Sequence, residues 1–137
     1  MQDVPRALRD HPRLVSIVCA LVLCAGFALQ LFEFGDELLP VAAMYFSAAA
    51  LGLDAAANGV RKRAGFGPSI ANLAPGGWTI FGAMFWIVAV PAYYLGARRR
   101  KNREDGLPRE PMTWGSWVAI GAFALLGVIL ACAPLVH

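Results

Sequence analysis

Charge is scarce in this chain. Asp, Glu, Lys and Arg supply only 15% of the 137 residues, while 58% are hydrophobic and the mean hydropathy is +0.57. A soluble domain of this length needs about a quarter of its residues charged to cover its surface, so the composition excludes a soluble fold and implies a membrane protein. Cysteine is nearly missing too. Cys19, Cys24 and Cys132 all fall in apolar runs, where they act as small hydrophobic side chains and exclude both a disulfide framework and a thiolate metal site. The two histidines, His11 and His137, lie outside the apolar runs at opposite ends, which excludes an intramembrane pair of haem or chlorophyll ligands.

Catalytic machinery is equally sparse. Gly65, Gly67, Gly76 and Gly77 lack the spacing and the following Lys-Ser or Lys-Thr pair of a phosphate-binding loop. No nucleophile stands beside a base. The chain therefore reads as a non-enzyme, with no catalytic residue, metal ligand or cofactor assigned.

What is present is apolar length. Four segments stand out, at about 14–33, 38–58, 77–97 and 112–135. A span takes about 20 residues to cross about 30 Å of hydrocarbon, so the expected fold is all-α, one four-helix transmembrane bundle with no room for a soluble domain. Arg6, Arg9 and Arg13 precede the first segment as they would in a signal peptide. The run is nearly long enough to span, and Leu23 before Cys24 is wrong for a lipoprotein signal; a retained helix is expected.

The breaks differ in chemistry. Glu33-Phe34-Gly35-Asp36-Glu37 is short and acidic, predicting an antiparallel hairpin of the first two segments, with Asp36 and Glu37 facing a helix N-terminus and Pro40 in its first turn. The 59–76 break combines Arg61, Lys62 and Arg63 with glycines and prolines, and 98–111 opens with Arg98, Arg99, Arg100, Lys101 and Arg103, candidates for contact with anionic headgroups and for setting topology. Basic residues placed beside apolar runs point to lipid and away from nucleic acid.

Orientation is unresolved by charge in a four-span chain. The two basic breaks then fall on opposite sides, dividing the Lys and Arg residues equally and leaving dual topology open. The 38–58 segment is the ambiguous one, because it is rich in alanine and carries Asp54; it could cross, re-enter or lie along the interface, whereas the other three are read as spans. If it does not cross, nine basic residues face one side and three the other. Ala48, Gly52 and Ala56 would give it a smooth face for close packing, as Gly115, Ala119, Gly127 and Ala131 would for the last segment.

Trp78 and Tyr93 lie fifteen residues apart, about 22 Å along a continuous helix, and are expected to anchor the third segment at two interfaces, with Tyr94, Trp114 and Trp117 as further anchors. Pro91 frees the Ile87 carbonyl and predicts a bend. Asp54 is the leading candidate for a functional carboxylate, and Glu33 the second, since an ionisable group in an apolar segment is costly.

The stretches Asp54-Ala55-Ala56-Ala57-Asn58-Gly59-Val60-Arg61-Lys62, Pro75-Gly76-Gly77-Trp78 and Trp86 through Leu95 resemble a recurrent pattern in small bacterial multi-pass membrane proteins. The resemblance implies a bacterial inner membrane and assigns no activity. The missing machinery leads to the expectation of a non-catalytic accessory subunit whose partners are other membrane subunits and anionic lipid. The alternative is a small self-assembling transporter or channel that uses Asp54 or Glu33.

Overall fold

A computed structural model describes residues 5–31, 38–60, 73–97 and 114–136. The described residues are all helical apart from caps and turns. A short α1 (Arg6–Asp10) leads into α2 (Pro12–Leu31), followed by α3 (Leu38–Ala57), α4 (Pro75–Met84), α5 (Trp86–Pro91) with a continuing π-helical turn (Ala92–Ala97), and α6 (Trp114–Val136). Three of them, α2, α3 and α6, are long and apolar enough to cross a membrane, since 20 residues rising 1.5 Å each cover about 30 Å. The chain is thus a multi-pass membrane protein.

Two expectations change places here. The alanine-rich segment forms an uninterrupted 20-residue helix, α3, and is one of the three of spanning length. The 77–97 segment, read as a span, is instead broken at Phe85, whose φ of −136° and ψ of 52° leave the helical region. The local reason is a run of poor helix formers, Phe85-Trp86-Ile87-Val88, whose aromatic or β-branched side chains lose rotamer freedom against the preceding turn. Beyond Pro91, which cannot donate an amide hydrogen, the ladder widens to π register.

α3 sits at the centre, 56% buried over its apolar window against 17% for α2 and for α6. Its alanines and glycine make that possible. Gly52 faces Thr79 of α4 and Ile120 of α6 so closely that a Cβ there would collide with both side chains, and on α2 Gly26 meets Ser47 in the same way. Gly82 of α4 rests on Leu51 and Ala48, and Gly127 of α6 on the Phe46 ring. These pairings set α2, α4 and α6 antiparallel to α3. The Gln30 side chain, which donates to the Pro40 carbonyl at 2.8 Å, marks one end of the α2–α3 pair.

The other end of α3 is closed by its own backbone. Gly59 takes a left-handed φ of 68°, Val60 N–H donates to the Ala55 carbonyl at 2.9 Å and Gly59 N–H to that of Ala56 at 3.5 Å. This is a Schellman cap, with Val60 and Ala55 also sharing the buried core. α4 begins with Pro75 at its first position, where no amide hydrogen is needed.

Candidate polar site around Asp54

Three residues before the end of α3, Asp54 is fully buried. A carboxyl group inside an apolar span costs about 2.5–3.5 kcal/mol to insert unless something nearby satisfies it. Both of its oxygens are engaged. The Tyr93 hydroxyl donates to Oδ2, and the Asn58 amide, one helical turn further along α3, donates to Oδ1 at 3.2 Å and to the Asp54 carbonyl at 3.0 Å. Asn58 Nδ2 also donates to Ser16 Oγ at 2.9 Å, and that hydroxyl in turn donates to the Pro12 carbonyl at 2.8 Å. One connected set of polar groups therefore ties α2, α3 and the π turn together.

Two of the aromatic residues expected at separate interfaces pack together around this cluster. Trp78 and Tyr93 are fully buried with ring centroids 5.2 Å apart in an edge contact, and Tyr94 meets Tyr93 edge-on at 5.0 Å. The expected 22 Å separation of Trp78 and Tyr93 fails because the helix turns back at Phe85. Both are core side chains, shielding the Asp54 hydrogen bonds from solvent and lipid. Trp117 is half-buried against the cluster of Ala49, Ala56 and Ile120, and only Trp114, the first residue of α6, is largely exposed.

Glu33, Arg98, Arg99, Arg100, Lys101 and Arg103 lie outside the described residues. Ser16 and Asn58 belong to the site without having been singled out in the sequence. Asn58 had a signal, its four-residue spacing from Asp54 on one helix. Ser16 and Tyr93 reach Asp54 only through tertiary packing. Among the described residues no three His, Cys, Asp or Glu side chains gather as a metal site. Among the described residues the indole nitrogen of Trp78, whose ring packs on Tyr93, is buried without a hydrogen-bond partner.

Among the described residues, two apolar cavities lie away from Asp54. One, of about 370 Å³, sits at the turn between α4 and α5, lined by Gln30, Met44 and residues 84–88. The other, of about 340 Å³, opens along the seam between α2 and α6, with Gly26, Ala43, Ala49 and Ala50 as its floor and Val22 and Phe46 on its walls. No family model matches the chain, and neither a curated protein nor a solved structure matches it.

Proposed function

We propose that the chain is a non-catalytic accessory subunit of a larger assembly in a bacterial inner membrane. The observation that carries this reading is the seam between α2 and α6. α2, α4 and α6 all pack on α3, and the α5 side closes onto α2 through Trp86 on Phe27 at 5.4 Å, which leaves a groove between α2 and α6 floored by Ala43, Ala49 and Ala50 of α3 and Gly26 of α2. Small residues let a second backbone approach closely, which is how membrane helices associate when lipid removes the hydrophobic drive. The polar groups around Asp54 point the same way, since they bind one another and hold the bundle together.

The test uses the native membrane. Gentle purification should yield the chain with a partner, and Ala25→Trp, an exposed residue on the wall of the seam, should release that partner while helicity stays unchanged. Recovery of the wild-type chain alone at its 14.7 kDa monomer mass would sink the proposal.

A second reading rests on one feature, the fully buried carboxyl group of Asp54 in a helix of spanning length. As a self-assembling transporter, the protein would use Asp54 or Glu33 to couple flux. Asp54→Asn should then abolish proton-coupled transport in proteoliposomes, and unchanged transport removes the residue from any such mechanism.

A further inference from the structure

We infer that residues 75–97 form a re-entrant hairpin, entering and leaving the membrane on one side, and that the chain consequently presents all its Lys and Arg residues on a single membrane face. The inference is independent of the accessory-subunit reading.

Three sets of contacts place the hairpin. Its two feet lie at the same end of the bundle. Gly76 presses on Ser116, near the start of α6, at 2.6 Å from an added Cβ to Cα, while Tyr93 reaches Asp54 near the end of α3. The Ser16–Asn58 hydrogen bond marks that same end, joining the first turns of α2 to the residue after α3. The tip lies elsewhere. Residues 84–88 share a cavity with Gln30 and Met44, and Gln30 bonds to Pro40 where α3 begins. A segment that crossed would carry Tyr93 to the Pro40 end, on the order of 20 Å from Asp54.

The tip is also built for hydrocarbon. Met84, Phe85, Ile87 and Val88 are all more than half exposed, an apolar patch that would be unfavourable in water. At the turn both backbone groups of Phe85 are paired. Phe85 N–H donates to the Phe81 carbonyl at 2.8 Å, and the Phe85 carbonyl accepts from Val88 and Ala89 at 3.0 and 2.7 Å. Backbone polar groups at membrane depth must be paired, and the single non-helical residue of the turn meets that demand through its own helices.

Charge then becomes decisive. With α2, α3 and α6 crossing and 75–97 returning, Arg6, Arg9 and Arg13 share a face with Arg61, Lys62 and Arg63, with Arg98, Arg99, Arg100, Lys101 and Arg103, and with Arg109, which accounts for all 12 Lys and Arg residues. The acidic Glu33, Asp36 and Glu37 fall on the other face. Basic residues in short loops are retained on the cytoplasmic side, so this arrangement gives one orientation, with the start of α2 inside and the end of α6 outside.

Single cysteines in the full chain test this directly, after Cys19, Cys24 and Cys132 are replaced by alanine. An impermeant maleimide applied to vesicles of known orientation should modify Ala64→Cys and Asn102→Cys only from the cytoplasmic face, and Asp36→Cys only from the opposite one. Gly65→Cys and Gly106→Cys repeat the comparison if either of the first two sites is unreactive. Labelling of positions 64 and 102 from opposite faces shows that 75–97 crosses and overturns the inference, as does equal labelling of each site from both faces. A fluorophore on Val88→Cys should lose more emission to mid-chain lipid quenchers than to headgroup quenchers; the reverse order places the hairpin on the membrane surface and rejects re-entry.

Discussion

α3 and its neighbours α2 and α6 have the same role by length but opposite designs. The outer two have the higher hydropathy, 2.5 and 2.3, and are mostly exposed, whereas α3, at 1.5, is alanine-rich and more than half buried. Hydropathy reports what a helix side chain meets, and an outer helix meets lipid. A helix enclosed by others is selected for small volume and close approach instead. The same contrast explains why the alanine-rich segment looked the weakest span when it is the one the others pack on.

Substitutions at α3 should accordingly be far costlier than similar ones on the outer helices, as measured by unfolding in mixed micelles. We expect the largest loss from Asp54→Leu. It removes the acceptor of the buried Tyr93 hydroxyl, at about 1–3 kcal/mol, and one of the three acceptors of the Asn58 amide, while Asp54→Asn keeps an acceptor for Tyr93 and should cost less. Equal loss in the two variants would mean that volume, not hydrogen bonding, governs the site.

Gly52→Val comes next, at about 1–3 kcal/mol, because its side chain must displace Thr79 and Ile120. A neutral outcome would show that α4 and α6 are free to move away from α3. Tyr93→Phe should cost about 1 kcal/mol, since it removes one hydrogen bond and keeps the ring against Trp78. Least of all, Leu21→Ala and Leu125→Ala on the exposed faces should stay within about 0.5 kcal/mol, and a loss comparable to that of Gly52→Val would erase the contrast between inner and outer helices.

How much of this was legible depends on whether the cause was local. Membrane class and the apolar segments follow from composition and run length, and the packing face of Ala48, Gly52 and Ala56 from four-residue spacing; all three residues are buried. The corresponding pattern in α6 is only half realised, with Gly127 against Phe46 but Gly115 exposed. Asp54 stood out because a carboxylate among alanines is conspicuous. Its partners did not, because Tyr93 reaches it only after a reversal at Phe85 that no glycine or proline marks. The aromatic spacing in 77–97 misled for the same reason: distance along a helix means nothing once the helix has turned.

The π turn after Pro91 acts as a spacer. Pro91 is the point from which each wider turn holds one residue more than an α turn, and that surplus sets the angle at which Tyr93 leaves the backbone. Deleting one residue from 88–92 would restore ordinary register and rotate everything downstream by about 100°. The hydroxyl would then swing off the carboxyl group although every side chain of the site was still present. Chain length in this short stretch is therefore as much a part of the site as the identities of Asp54 and Tyr93.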